Sequence, residues 1–315
     1  MDETPERPVT IRHYRQLANE IIEKHFGKPP QRIVYRRSGR TNFVFTINHV
    51  EGQFVVRISP NPDPNRIEAF KKELWATQKV REAGVPSAEV LIVDQDDDSE
   101  PYMITRRVTG LEATHHPQRE RIIHEMGRYA RIINSIPTKG FGPHFDWTDN
   151  GFKCRTWSDY LDNEWEFEKR LRILTAHKII SQRAVTKLRK TINETRTLQI
   201  EPSLSHADLR LKNVMVDEDG EIAAIIDWEE CLSTIAPQFE LSISLHDLSI
   251  DEKHTFIDGY GLDSEAVVPM ASLIRAFNVI NYSDAIERAV EVRDHKMLAE
   301  FKLRLNAGLD LYSLC

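Results

Sequence analysis

A single β hairpin inside a helical stretch constrains this chain more than any other feature. From Gly110 onward the apolar residues recur mostly at helical spacing, as in Ile122, Met126, Tyr129 and Ile133 and again from Ala266 to Leu305. Asn213-Val214-Met215-Val216, the turn Asp217-Glu218-Asp219-Gly220, and Ile222–Ile226 break that pattern with a short strand, a tight turn and a second strand. Before residue 110 the balance is reversed. After an amphipathic helix over 11–25, β-branched and aromatic segments read as strands at 32–37, 42–48 and 53–59, with a turn at Glu51-Gly52. A helix over 64–83 stops at Gly84 before Val85-Pro86, and strands over 89–93 and 102–108 flank the acidic turn 94–100. Five strands and one main helix pack most simply as an antiparallel sheet with the helix laid on it, followed by a mostly helical part.

The residues leading into the hairpin are polar in a chemically specific way. Ser205-His206-Ala207-Asp208-Leu209-Arg210-Leu211-Lys212-Asn213 contains H-x-D-x-x-x-x-N, and the second strand runs into Ile226-Asp227-Trp228. That is the spacing of a kinase catalytic loop with a metal-binding aspartate downstream. Phosphoryl transfer needs a carboxylate to orient and deprotonate the attacking hydroxyl, and hard oxygen ligands for magnesium. Asp208 suits the first task; Asn213 and Asp227 suit the second. The competing reading, in which His206 and Asp208 cap a loop and Asp227 ends a strand, explains each residue singly but not their order around the hairpin.

With Ser38-Gly39-Arg40-Thr41-Asn42, Val55-Val56-Arg57, Glu73 and Val108-Thr109-Gly110, these motifs make the chain similar to the aminoglycoside phosphotransferase and choline kinase family of small-molecule kinases. The resemblance covers most of the chain and is most specific at His206–Asn213 and Ile226-Asp227-Trp228. It implies an α+β, bilobal protein-kinase-like fold. Residues 1–107 would form an amino-terminal nucleotide-binding lobe, and residues 108–315 a carboxyl-terminal catalytic and substrate-binding lobe containing the hairpin. It also implies ATP and Mg2+ as cofactors and leaves the preference between ATP and GTP open.

Neither G-x-x-x-x-G-K-[ST] nor G-x-G-x-x-G occurs. The resemblance instead assigns the phosphate-covering turn to 38–42, where backbone N–H groups and the Ser38 and Thr41 hydroxyls would face phosphate; alone, that stretch reads as an ordinary polar turn. In the strand 54–59, alternation puts Phe54, Val56 and Ile58 on one face and Val55 and Arg57 on the other. Arg57 stands where the family often has Lys, keeping the charge but changing the geometry. On a helical wheel Glu73 falls between Phe70 and Val80, whereas Glu68, Lys72 and Lys79 group elsewhere. A carboxylate on a core-facing stripe needs a counter-ion, and the resemblance supplies Arg57. It further places Thr105 at the gatekeeper and Arg106 and Val108 at the hinge, with Val55, Met215 and Ile226 around the base.

The acceptor is less legible. Asp159, Asp162, Glu164, Glu166 and Glu168 crowd one stretch and suit amino groups, but such runs usually form a solvated helix face, here with Leu161 and Trp165 buried behind it. Glu229 and Glu230, directly after Asp227, are better placed for a cationic substrate. Glu240 occupies a place where the family commonly has Asp.

The formal charge of -7 gives no basic footprint for nucleic acid, and the short runs Arg36-Arg37 and Arg106-Arg107 read as solvated or locally paired. Cys154, Cys231 and Cys315 form no C-x-x-C pair. An acidic amino terminus and the lack of a long apolar run point to the cytoplasm, with no membrane or nucleic-acid partner. The expectation is an ATP- and Mg2+-dependent transfer of the γ-phosphate to a small-molecule hydroxyl, a cationic acceptor being compatible. Two alternatives stay open: a metabolic kinase for an amino alcohol, sugar or homoserine-like acceptor, and a catalytically silent nucleotide-binding regulator. Oligomeric state is not readable from the sequence.

Overall fold

The computed structural model describes residues 8–36, 42–60, 64–95, 99–147 and 151–311. In chain order the elements begin α1 (Pro8–Phe26), β1 (Arg32–Arg36), β2 (Phe43–His49), β3 (Gly52–Ile58), α2 (Pro64–Glu82), β4 (Val90–Asp94), β5 (Tyr102–Arg106), β6 (Leu111–Glu112) and α3 (Arg119–Asn134). They continue with the single turn α4 (Trp157–Asp159), α5 (Phe167–Ala176), α6 (Gln182–Glu194), β7 (Ser203–Ser205), β8 (Val214–Val216), β9 (Ile222–Ile225), β10 (Leu232–Thr234) and α7 (Gln238–Ser244). The last four are α8 (Ile250–Tyr260), α9 (Ser264–Asn281), α10 (Ser283–Glu291) and α11 (His295–Leu311). Among the described residues no helix is long and apolar enough to cross a membrane.

Two compact units result, Met1–Ala113 with Lys212–Glu229, and Thr114–Leu211 with Glu230–Cys315. The expected boundary at 107/108 cuts the linear chain once, whereas the hairpin groups with the amino-terminal sheet. Its attachments explain why. Ile225 N–H donates to the Pro86 carbonyl at 2.8 Å, the Ser87 hydroxyl donates to the Ile225 carbonyl at 3.1 Å, and β6 pairs antiparallel with β8.

The first unit is built on an antiparallel sheet in the order β1-β2-β3-β5-β4. Alternation along β2 and β3 does the sorting: Phe43, Phe45, Ile47, Phe54, Val56 and Ile58 are buried on one face, where Tyr14, Ala18, Ile21 and Ile22 of α1 pack. On the opposite face α2 closes over Val90 and Met103 with Phe70. Lys72 departs from the wheel reading. Rather than joining Glu68 and Lys79 in solvent it is buried, because Lys72, Ala76 and Val80 lie at i, i+4 and i+8 on one stripe beside the Glu73–Thr77 stripe, making the buried face wider than one row.

The second unit is helical around a core that includes Trp157, Leu161, Trp165, Phe167, Leu171, Phe239 and Phe277. Leu161 and Trp165 are buried as expected. The helices α3 and α8 approach at backbone distance at Gly127 and Gly259, where a Cβ on Gly259 would fall well inside van der Waals contact distance of the His124 carbonyl oxygen.

Candidate active site

The cavity of the first unit has a volume of about 650 Å³ and lies under the α2-side face of the sheet. Ladder register explains which side chains reach it, since residues directly opposite in an antiparallel pair share a face. Thr46 pairs with Val55 and Val55 with Thr105, while Val44 pairs with Arg57, and all five line the cavity. Among the residues expected around a nucleotide, Val55, Arg57, Glu73, Arg106 and Val108 line it from the sheet, α2 and the segment after β5. The hairpin adds Asn213, Met215, Ile226, Asp227 and Glu229. Ser38 and Thr41 lie outside the described residues. Sequence reasoning did not single out Thr46, Thr77, Glu112 or Lys212 as lining residues, although carrying the β3 alternation through the hairpin to β2 identifies Thr46.

Arg57 and Glu73 form a buried ion pair. Burial pulls the Arg57 pKa down, but Glu73, with Glu229 and Asp227 further out, outweighs it and holds the guanidinium above its ordinary value. The expectation of a counter-ion for Glu73 is therefore met by Arg57. A second contact reaches the hairpin, with Arg57 Nη1 3.9 Å from Asp227 Oδ1. Asp227 has φ 69°, in the left-handed region that a non-glycine residue rarely occupies, and such strain concentrates at functional positions. The Ile226 N–H donates to the Asn213 carbonyl at 2.9 Å, which fixes the two ends of the hairpin against each other.

Arg106, expected at the hinge, uses its side chain on Glu89, Nε to Oε2 at 3.0 Å, holding the Glu89 carboxyl below its usual range. Its backbone N–H is also engaged, donating to the Glu89 carbonyl at 2.8 Å. Its part in the cavity is thus that of a lining residue rather than a free charge.

In the second unit Asp208 is held from both of its ends. Its N–H donates to His206 Nδ1 at 3.2 Å, and Arg210 Nε donates to Asp208 Oδ1 at 2.6 Å. Arg210 in turn reaches Asp247, Nη1 to Oδ2 at 3.3 Å. Beneath this loop sits Glu240, fully buried, whose Oε2 accepts from the His206 N–H at 2.7 Å and the Ala207 N–H at 3.4 Å, and whose Oε1 accepts from the Ser244 hydroxyl at 3.0 Å. Burial pushes the Glu240 carboxyl pKa up, with the three donors opposing that shift in part. Ala207, at φ 62°, takes the left-handed turn that lets both N–H groups converge on one carboxylate oxygen.

The acidic stretch 159–168 resolves into structural partners. Asp159 closes a capping box with Thr156, Asp162 makes a bidentate pair with Arg196, and Glu164 meets His144 at 3.0 Å and Lys153 at 3.6 Å. Glu166 pairs with Lys169 and Glu168 with Arg189. Expected from the sequence as a solvated helix face or a site for amino groups, the run instead gives each of its five carboxylates a partner from this chain. Glu230 is exposed in the second unit, apart from the cavity-lining set to which Glu229 belongs.

Residues 32–271 match the family model described as phosphotransferase enzyme family, which is most of the chain. The chain belongs to the phosphotransferase enzyme family. Its fold is similar to that of aminoglycoside phosphotransferase APH(4)-Ia, with a TM-score of 0.69 at 18% identity over 94% of this chain and 98% of that one. A thermostable mutant of that enzyme in a ternary complex with AMP-PNP and hygromycin B gives 0.68 at 17% identity over 93% and 97%. The GDP complex of wild-type aminoglycoside 2'-phosphotransferase-IIIa gives 0.67 at 13% identity over 93% and 98%. These likenesses concern the fold, the protein-kinase-like α+β arrangement expected from the sequence. Comparison with curated proteins gives no match.

Proposed function

We propose that this chain is a magnesium-dependent kinase that moves the γ-phosphate of ATP to a hydroxyl of a small molecule. The observation that carries the reading is the buried Arg57–Glu73 pair, with Asp227 beside Arg57, in a cavity that also holds Asn213 and an apolar lining of Val55, Met215 and Ile226. Such a cavity suits a purine at its apolar part and phosphates at its charged part. The AMP-PNP and GDP complexes of fold relatives support nucleotide use, and their aminoglycoside ligands support a small-molecule acceptor.

Among the described residues there is no group of three or more His, Cys, Asp or Glu side chains able to hold a metal. Magnesium usually takes only one or two protein carboxylates and completes its shell with phosphates and water, so Asn213 and Asp227 fit it. When bound, the ion supplies neutralisation of the phosphate charge. The residues of the chain do the rest. Arg57 anchors phosphate oxygens and Glu73 fixes the guanidinium, while Asp208 orients the acceptor hydroxyl and takes its proton. Glu229 belongs with the phosphate side, since its charge acts on Arg57. With the 159–168 carboxylates already occupied, that stretch gives no particular support to a polycationic acceptor over a sugar or amino alcohol. Buried, unbridged Cys154 and Cys231 support a cytoplasmic setting, which fractionation of expressing cells tests.

The deciding experiment is magnesium-dependent ATP turnover by the purified chain across aminoglycosides, macrolides, amino alcohols and sugars, repeated with Asp208→Asn. Transfer to one class, reduced about 100-fold or more in the variant, is the expected result, because a positioned base contributes at least that much. Equal transfer by the variant refutes the role of Asp208. Tight nucleotide binding with no transfer to any acceptor favours the regulator instead.

A further inference from the structure

The sheet face above the cavity carries a cation that the reading so far leaves unused. Arg36 is the last residue of β1 and pairs with Val44, which pairs in turn with Arg57. The three side chains therefore share one face in one rank across β1, β2 and β3, and all three line the cavity. The neighbouring rank on that face, Thr46, Val55 and Thr105, is uncharged. The ceiling is thus divided into a neutral rank and a cationic rank, and the cationic one begins and ends with an arginine.

The other arginines at the cavity differ from Arg36 in their partners or their position. Glu73 matches Arg57 and Glu89 matches Arg106. Arg107 bonds the neutral Gln53 side chain at 3.1 Å, but Gln53 lies four residues along β3 from Arg57, about 13 Å at the usual rise of a strand. Arg36 sits only two strands across from Arg57, about 10 Å between backbones at normal strand spacing. Among the described residues its hydrogen-bond partner is a neutral one, the Thr46 hydroxyl, which accepts from Nε at 3.3 Å and leaves both terminal nitrogens of the guanidinium for another acceptor.

We infer that Arg36 is a second phosphate-binding residue, gripping the polyphosphate from the β1 side while Arg57 holds it from β3. The inference rests on the nucleotide reading above and deepens it. It also changes the expected status of Arg36, which by sequence is a solvated or locally paired surface charge. Affinity then depends on Arg36 in proportion to phosphate content, since the guanidinium has no role at the base.

Calorimetric titration of the full chain with adenosine, ADP and AMP-PNP in the presence of magnesium tests this, using the parent, Arg36→Gln and Arg36→Lys. Charge-assisted hydrogen bonds of this kind correspond to a loss of about tenfold or more, so Arg36→Gln weakens ADP and AMP-PNP binding by that factor and leaves adenosine within about twofold. Arg36→Lys recovers part of the loss, and raising the salt concentration narrows the gap between parent and Arg36→Gln. Unchanged ADP and AMP-PNP affinity in Arg36→Gln overturns the inference alone. An equal loss for adenosine also overturns it, because the residue would then support the cavity rather than the phosphates. A parent that binds no nucleotide overturns the nucleotide reading together with it.

Discussion

Glu240→Leu isolates the support of the catalytic loop from the nucleotide cavity. In the parent, one buried carboxylate receives the N–H groups of His206 and Ala207 and the hydroxyl of Ser244. Leucine fills a similar volume and offers no acceptor. The His206 N–H, at 2.7 Å and on a fully buried residue, is the strongest of the three and loses its partner outright, a penalty of about 1–3 kcal/mol. The Ala207 bond, at 3.4 Å and on a partly buried residue, contributes less, and the Ser244 hydroxyl can rotate toward another acceptor. Against these stands the relief of a buried carboxyl whose raised pKa shows that its charge is poorly solvated. The balance is a destabilisation of about 1–3 kcal/mol. The functional consequence is larger. Ala207 at φ 62° sits about 1–2 kcal/mol above its preferred backbone regions, and losing the Glu240 acceptor removes the bonds that offset that cost, so the loop relaxes and shifts Asp208 despite its bonds to His206 and Arg210. Urea unfolding at neutral pH reads the first effect and single-turnover transfer reads the second. We expect the transfer rate to fall by more than tenfold with ADP affinity unchanged, because the cavity-lining residues belong to the other unit. An unfolding midpoint and a transfer rate both equal to the parent's would refute the reasoning.

Three further outcomes are expected. Glu73→Gln removes the nearest counter-ion of the buried Arg57 guanidinium, leaving Asp227 at 3.9 Å, and should destabilise the chain by about 3 kcal/mol in urea unfolding while abolishing tight ADP binding; a change under 1 kcal/mol would mean that Asp227 and Glu229 suffice to hold the charge. Gly259→Ala forces α3 and α8 apart at the His124 carbonyl and should cost about 2 kcal/mol or more despite the better helix propensity of alanine, a result checked by the same unfolding assay. His246, half buried beside Tyr282 and Arg304, has its pKa lowered by burial to about 4, against 6.5 when unfolded. Between those values the unfolded chain binds the extra proton, so stability is fully present above pH 6.5 and falls by an amount on the order of 3 kcal/mol as the pH drops to 4. Unfolding free energies of His246→Gln measured across that window should show a flatter slope, and an identical slope would reject the assignment.

The legible parts of the fold were those where one period dominates. Phe54, Val56 and Ile58 alternate with Val55 and Arg57, and the two faces of β3 are buried and cavity-lining as that alternation requires. Glu73 was legible because an acidic residue on an apolar stripe demands a partner. Lys72, one residue away, was not, since a helix sandwiched on more than one side buries more than one stripe and the wheel shows only the dominant one. The 159–168 run shows another kind of gap. Composition announces five carboxylates, but whether each is free depends on arginines and lysines such as Arg189 and Arg196, which arrive from elsewhere in the sequence. Long-range partners of this sort leave no local periodicity to read.

The split of the motif itself carries the most consequence. H-x-D-x-x-x-x-N reads as one cassette, yet Asp208 belongs to one compact unit and Asn213 to the other, with the boundary falling between Leu211 and Lys212. Each end has bonds of its own: Arg210 holds Asp208, Glu240 holds its loop through His206 and Ala207, and the Ile226 N–H and the β8–β9 ladder hold Asn213. A substitution that damages one end need not disturb the other. Glu240→Leu and Glu73→Gln, which act from opposite sides of that boundary, should then give distinct kinetic signatures, lost transfer with retained nucleotide in the first and lost nucleotide in the second. The double variant tests whether the two sets of partners are coupled: free energies that add to within about 0.5 kcal/mol mean independent support, and a larger discrepancy means coupling.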